Sequence, residues 1–401
     1  VNQQPHQPVR ANQRLKVAIV ADYLEEGWVS MDLVADMLLD RLQREHADAV
    51  TPTLIRPAFR RRLARVPGVG SHPTAFLADR VANRLWDYPR FLSTAAGGFD
   101  LFHVVDHSYA QLVHRLPAAR TLVTCHDIDT FRSVIEPEAE PRSAPFRAMT
   151  RHILAGLRQA GHITCDTTAT RDALVEKARI DPGRTTVVHN GPHPTCTPEP
   201  QASAEYDAVR LLGPPGATVD VLHVGSTIPR KRIDLLLRIF ARVHGARPET
   251  RLIRAGGPLT AGQRALARDL GIADRIVHLP VLDRATLAAV YRRSALVLMP
   301  SEREGFGLPV LEALACGTPV VASDIPALRE VGGYAATYCA LDDLEAWSAA
   351  VTRLLDEPAR DPAQARLRRE TAIRRAQAFS WSHYAREIVA IYRRMDEVAR
   401  E

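Results

Sequence analysis

Short runs of continuous apolar residues alternate along this chain with stretches whose apolar positions recur every three to four residues. "LKVAIVAD", Leu15 to Asp22, is the first such run, and from about Ser30 to Glu45 the residues Leu33, Met37, Leu38 and Leu42 fall at helical spacing. The pattern returns at "DLFHVVDHS", "ARTLVTCHD", "AGHITCD" and "TTVVHNG". Strands apolar on both faces, separated by helices, predict a parallel, doubly wound sheet covered on both sides.

"HNGPHPTCTPEPQAS", residues 189 to 203, is rich in proline and polar residues, has no periodicity and reads as a linker. Beyond it the alternation restarts at "VDVLHVGS", "TRLIRAGG", "DRIVHLP", "ALVLMPS" and "TPVVASD". Two successive α/β domains are therefore expected, over 15–195 and 204–381. A final helix from about 382 to 401, with Tyr384, Ile388, Ile391 and Tyr392 on one face, could cross back to the first domain.

Composition narrows the class. A chain of 401 residues suits two domains of ordinary size. Apolar residues at 46% and charged ones at 24% fit a globular protein, and no apolar run approaches the roughly 18 residues of a membrane span. The N-terminal stretch 1–14 lacks an apolar core, so it reads as a disordered tail rather than a signal peptide, and a cytoplasmic location is expected. Five cysteines without a CxxC pair argue against a disulfide framework or a zinc site. A formal charge of +6 suggests anionic company, whether phosphorylated substrate, acidic lipid or nucleic acid. Of the 52 basic residues only Lys16, Lys177 and Lys231 are lysines, which singles out a lysine in a polar loop.

Ligands of open parallel sheets collect beyond the carboxyl ends of the strands. After the first strand, "YLEEGWVSM" holds only Gly27, without the GxGxxG that a dinucleotide would need. Gly27 suits either close backbone approach to a ligand or a plain turn. After "VDVLHV", Gly225 permits a sharp turn, and Arg230 and Lys231 stand together before a helix. They form either a diphosphate grip or a solvated basic turn. "SEREGFGLPVLEALAC" reads as a loop and a short helix with Pro309 in its first turn. Gly305 and Gly307 let amides face a ligand, with Glu304 at the mouth and Glu312 one turn into the helix. Both carboxylates can accept from sugar hydroxyls, although Glu312 could instead complement the helix dipole.

"EGFGLPVLE" resembles the E-x7-E motif of glycosyltransferase family 4, whose members have the GT-B fold and retain anomeric configuration. The resemblance continues through "TCHDID", "VVHNG", "HVGSTIPRKR", "AGG", "LPVLDRATLAAVYRRSALVLMPS" and "FSW", nearly the whole chain. It implies two Rossmann-like domains facing a cleft, with the acceptor side in the first domain and the nucleotide sugar in the second. The activity implied is transfer of a hexosyl group from a UDP- or GDP-sugar to a sugar or lipid-linked sugar acceptor, in polysaccharide or glycoconjugate biosynthesis. Arg230 and Lys231 match the residues that hold the diphosphate, Glu312 the ribose ligand and Glu304 the contact to the transferred sugar. The amides of Gly305, Phe306, Gly307 and Leu308 would hold phosphate and sugar hydroxyls. Leu279, Val281 and Leu282 would lie near the base. His126 matches a histidine near the donor sugar, where it contacts the sugar or helps the reaction; a core or capping histidine is the plain alternative.

The chain also departs from the family pattern. The first loop lacks the paired glycines common in the family, and Ser226 stands where many members carry arginine. "DID", Asp127 to Asp129, spells the D-x-D of the other glycosyltransferase fold but reads as accidental, because positive side chains already fill the role of a metal. No metal or cofactor is expected, and nucleic-acid binding has no recognised module behind it. "RPAFRRRLARV" concentrates Arg56, Arg60, Arg61, Arg62 and Arg65 around Phe59 and Leu63. That suits peripheral contact with the anionic inner surface of a membrane, or an acceptor patch, or a solvated basic loop. Two other functions use the same residues: a glycosidase with Glu304 and Glu312 as paired carboxylates, and a nucleotide-sugar-binding scaffold without turnover.

Overall fold

The computed structural model describes residues 14–65, 68, 72–216 and 218–400. Of the tail expected over 1–14, only Arg14 lies among them. The chain divides into two compact units. One comprises the chain up to Asp166, Thr170–His189 and the stretch from Trp381; the other comprises Thr167–Ala169 and Asn190–Ser380.

The first unit holds a six-stranded, wholly parallel sheet of β1 (Leu15–Val20), β2 (Val50–Ile55), β3 (Leu101–Val104), β4 (Thr121–Cys125), β5 (His162–Cys165) and β6 (Thr185–Val187) in the order β2-β1-β3-β4-β5-β6. The second unit repeats the plan with β7 (Val219–Val224), β8 (Thr250–Ala255), β9 (Ile276–His278), β10 (Leu296–Met299), β11 (Val320–Ser323) and β12 (Thr337–Cys339) in the order β12-β11-β10-β7-β8-β9. Strands such as β3, β4 and β10 are buried at every position, as sheets covered by helices on both faces require. In the second unit Leu222, Ile253 and Val297 feed one core, and Val221, Leu252 and Leu298 feed the other.

Three elements carry too little pattern to be read from sequence. In β2 Pro52 breaks the apolar run and removes an N–H, which is tolerable because β2 is an edge strand. β12, an edge strand of the second sheet, has only three residues. The helix Ala202–Leu212 begins inside the segment read as a linker, and its buried side is Ala204, Ala208 and Leu212, small residues that leave a faint periodicity. One passage of the chain from the first unit to the second lies between His189 and Asn190, at the start of that segment.

The helix Trp381–Val398 belongs to the first unit. Its Tyr392 hydroxyl lies 2.7 Å from His103 Nδ1, and Ser382 donates to Glu45 at 2.8 Å. Burial drives the His103 pKa down to about 3, so this ring is a neutral structural link.

Candidate functional site

In each sheet one pair of neighbouring strands sends its connections in opposite directions, and ligands of such sheets bind beyond that point. In the second unit the pair is β7 and β10. The loops that follow them, 225–232 and 300–307, carry Arg230, Lys231 and Glu304. The backbone ties the loops together, because the Glu302 amide donates to the Arg230 carbonyl at 2.8 Å. A single 3-10 turn, Pro229–Lys231, projects both cations. It ends at Arg232, which adopts a left-handed conformation at φ 46°. Such a conformation costs a residue with a Cβ free energy, and here the Arg232 guanidinium is anchored by two bonds to Asp234 at 3.0 and 2.9 Å.

Glu304 and the two cations form one buried cluster. Lys231 Nζ donates to Glu304 Oε1 at 2.6 Å, and Arg230 Nη1 donates to Oε2 at 3.2 Å and to the Arg303 carbonyl at 2.9 Å. Burial pushes the Glu304 pKa up, but Lys231 and then Arg230 overcome this and hold the carboxyl below its ordinary value. A carboxylate held ionised in this way is a poor proton donor. Two cations around one carboxylate leave a net positive charge on the cluster.

The helix Leu308–Ala315 starts at Gly307, whose φ of 98° no residue with a side chain adopts cheaply. A Cβ there would also come within 2.5 Å of Leu328 Cδ2. Phe306 is buried in the core against Phe379, Leu308 is partly buried, and the Gly305 carbonyl accepts from Thr167 Oγ1 at 2.8 Å. Glu312 is buried, accepts from the Tyr291 hydroxyl at 3.0 Å and has Arg284 at 3.9 Å. Burial keeps its pKa above the ordinary value despite Arg284 and Tyr291. Leu279 is buried at the end of β9, whereas Val281 is 99% exposed.

Two polar residues of this unit escape a reading by motif. His223 and Arg254 face each other across β7 and β8, both buried. In sequence the signal was only a charged or ring side chain inside the otherwise apolar runs "VLHV" and "LIRA".

The first unit gathers polar groups at the carboxyl ends of β1, β3, β4 and β5. Gly27 ends a 3-10 turn at φ 70°, and a Cβ there would meet nothing within 4 Å, so its structural task is the left-handed turn. His126 is buried with both ring nitrogens occupied, Nδ1 by Asp166 and Nε2 by the Val105 carbonyl, each at 2.7 Å. Both partners are acceptors, so both nitrogens donate and the ring is an imidazolium. Burial opposes that charge, yet Asp166 and then Asp106 raise the pKa to about 9. A ring bonded in this way has no lone pair with which to take a proton, which removes general-base action from the help expected of His126. The Asp127 carboxylate caps the Asp129 amide at 2.9 Å, a local turn within "DID".

Asp22, directly after β1, was not singled out by its motif. It is 1% exposed, and neither carboxyl oxygen has a hydrogen-bond partner among the described residues. Burial, with Asp106 and Asp32 nearby, raises its pKa to about 7.

The arginines of the basic segment are Arg56, partly buried, and Arg60, Arg61, Arg62 and Arg65, all exposed. Arg56 bonds Asp32 at 2.9 Å, while Arg62 grips Asp87 through two bonds of 2.7 Å and Arg60 stands 3.7 Å from the same carboxylate. Asp79 accepts from the Arg62 and Leu63 amides at 3.1 and 3.0 Å, and Phe59 packs edge-on to Tyr23. The segment is thus clamped down, with Phe59 turned to the core instead of outward.

Residues 33–194 match the family model described as Glycosyltransferase Family 4, and residues 212–374 the model of glycosyl transferases group 1. The chain is 34% identical over 280 residues to the D-inositol 3-phosphate glycosyltransferase of Mycobacterium sp. (strain JLS), which takes in 68% of this chain and 60% of that protein. It therefore spans about 60% of the length of this curated relative. Among solved structures, sucrose-phosphate synthase of Thermosynechococcus elongatus superposes with a TM-score of 0.73 at 21% identity, over 96% of this chain and 100% of that one. HepE of Anabaena, in complex with UDP and glucose, gives 0.66 at 17% identity over 94% and 99%. At such identities these structures speak for the fold, and the fold is GT-B.

Proposed function

The chain belongs to glycosyltransferase family 4, and from that premise we propose that it moves a hexosyl group from a UDP- or GDP-sugar to a hydroxyl of a sugar, sugar phosphate or lipid-linked acceptor, with retention of configuration. The observation that carries this reading is the buried cluster of Lys231, Arg230 and Glu304 beyond β7 and β10.

The diphosphate leaving group gains negative charge as the glycosidic bond breaks. Lys231 and Arg230 are fixed where such charge can be met, at the point where ligands of parallel sheets collect, and they need no rearrangement during the reaction. Gly307 begins the following helix, where the Leu308 amide can meet a phosphate or sugar oxygen; Pro309 has no N–H, and the Val310 and Leu311 amides donate to the Gly307 carbonyl. Glu304 then faces the transferred sugar and Glu312 the ribose. The loop 279–282 is the base-side segment. The acceptor proton passes to the leaving phosphate in a front-face step, which uses no side-chain base. His126 serves as a fixed cation.

Metal-independent transfer is part of this reading, because positive side chains supply the charge. The mycobacterial relative's name suggests a cyclitol phosphate among the acceptors to try. Arg60, Arg61, Arg62 and Arg65 are the exposed arginines through which an acidic lipid surface would be met, Arg60 and Arg62 sharing Asp87.

The test is a thermal-stability screen of nucleoside diphosphates and their sugars with chelator present. Active combinations are then sought by product analysis against free sugars, inositol phosphates and lipid-linked sugars. Stabilisation by a nucleoside diphosphate followed by retained-configuration transfer is the expected result. Binding without transfer across the panel would leave a binding scaffold, and glycoside cleavage without nucleotide would replace the reading with a hydrolase.

A further inference from the structure

Arg254 sits in β8, a central strand that should be apolar on both faces. It is 1% exposed. Its Nη1 bonds His223 Nδ1, its Nη2 donates to the Gly225 carbonyl at 3.2 Å, and its Nε has no partner among the described residues. No carboxylate forms an ion pair with it there, and His223 does not neutralise it. Burial, then Arg254 and Lys231, hold that ring far below its usual pKa and therefore uncharged. A buried cation without a counter-charge costs free energy that an apolar side chain of similar length would not.

The position of the guanidinium suggests what keeps it there. The Gly225 carbonyl lies at the base of the loop that carries Arg230 and Lys231. A Cβ on Gly225 would stand 3.2 Å from the His223 ring and 3.7 Å from Lys231 Cε, and a Cβ on Gly256 would come within 2.4 Å of the Gly225 oxygen. Arg254, His223, the Gly225 peptide and the Lys231 stem therefore pack as one stack. In a trans peptide the carbonyl of one residue and the N–H of the next point in opposite directions, and no cis bond occurs among the described residues. Drawing the Gly225 oxygen toward Arg254 turns the Ser226 N–H away from it. The Ser226 and Thr227 amides make no hydrogen bond to another described residue.

We propose that Arg254 is a positioning residue for the diphosphate: it locks the Gly225–Ser226 peptide so that the Ser226 N–H faces a phosphate oxygen, and it places a positive charge behind that amide. The ligand class is the pyrophosphate of a nucleoside diphosphate or its sugar. This rests on the function proposed above.

The experiment measures affinities of the full chain for UDP, GDP and ADP and for uridine, guanosine and adenosine, in wild type, Arg254→Met and Arg254→Lys. For the base that the wild type prefers, Arg254→Met should lower the ratio of diphosphate to nucleoside affinity at least tenfold, with nucleoside affinity changed less than twofold. Arg254→Lys, which keeps the charge but not the forked geometry, should lose less. A ratio unmoved in Arg254→Met, or nucleoside and diphosphate affinities falling in proportion, would overturn the proposal and leave Arg254 a packing residue. If Arg254→Met does not fold, Arg254→Gln is held to the same tenfold criterion. A wild type that binds none of the three diphosphates would sink the function and this inference together; binding with an unmoved ratio sinks this inference alone.

Discussion

Lys231 Nζ and Glu304 Oε1 lie 2.6 Å apart in a buried pair, and Arg230 closes on the other carboxylate oxygen at 3.2 Å. The residues expected to grip the diphosphate are thus bonded to the residue expected to touch the sugar. A diphosphate bound as proposed would compete with Glu304 for the same two cations.

Glu304→Gln therefore separates binding from turnover. Removing one partner of a buried pair leaves the cations uncompensated, and the ligand-free protein should lose about 3–5 kcal/mol. Without a competing carboxylate, the stabilisation by nucleoside diphosphate should grow. Turnover should fall roughly 10- to 100-fold, the worth of a charge-assisted hydrogen bond at the sugar. Lys231→Ala should instead abolish most of the diphosphate-induced melting shift. Melting curves with and without nucleotide check both, and an undiminished shift in Lys231→Ala would remove the phosphate assignment.

Asp22 makes stability depend on pH. An acid with a folded pKa of about 7, against an ordinary value of 3.8, binds more protons in the native state between those values. Unfolding free energy then falls as pH rises from about 4 through 7 and levels off above. Asp22→Asn should be close to wild type at pH 4 and more stable by on the order of 2–4 kcal/mol at pH 8. Urea midpoints of the two proteins across that range give the difference directly, and parallel curves would show that the carboxyl is not held protonated.

His126 acts in a higher window. Its folded pKa of about 9 exceeds the ordinary 6.5, so the stabilisation is complete below about 6.5 and is lost as pH rises through 9. Asp166→Asn weakens the main cause of the rise. In that variant the imidazole resonance, followed by NMR, should titrate at least one unit lower than in wild type. An unchanged titration would mean that Asp106 or the Val105 carbonyl, and not Asp166, holds the proton.

Periodicity exposed the parallel strands with apolar side chains on both faces, because a buried strand must announce itself in that way. It could not expose β2, where Pro52 breaks the run, or the helix Ala202–Leu212, whose buried face is mostly alanine. Strand order made the site legible, since the loops after β7 and β10 stand together only once β10 is known to neighbour β7. What sequence missed is of one kind. Asp22, His223 and Arg254 are polar groups at or near strand ends, meaningful through what surrounds them in space. The same limit explains Arg56, which sequence groups with its neighbouring arginines but the fold pairs with Asp32.

The two glycines after β8 separate conformational strain from close packing. Gly256 and Gly257 both have positive φ, 120° and 97°. A Cβ on Gly257 meets nothing within 4 Å, so Gly257→Ala should cost only the backbone term, about 1–2 kcal/mol. A Cβ on Gly256 would come within 2.4 Å of the Gly225 oxygen, a backbone atom with no rotamer to change. Gly256→Ala must therefore push apart the loops after β7 and β8, and overpacking should add roughly 1–3 kcal/mol to the same backbone term. Because the displaced residue is Gly225, the diphosphate-induced melting shift should shrink in Gly256→Ala and stay at the wild-type value in Gly257→Ala. Equal shifts in the two variants would mean that the Gly225 peptide does not govern anion binding.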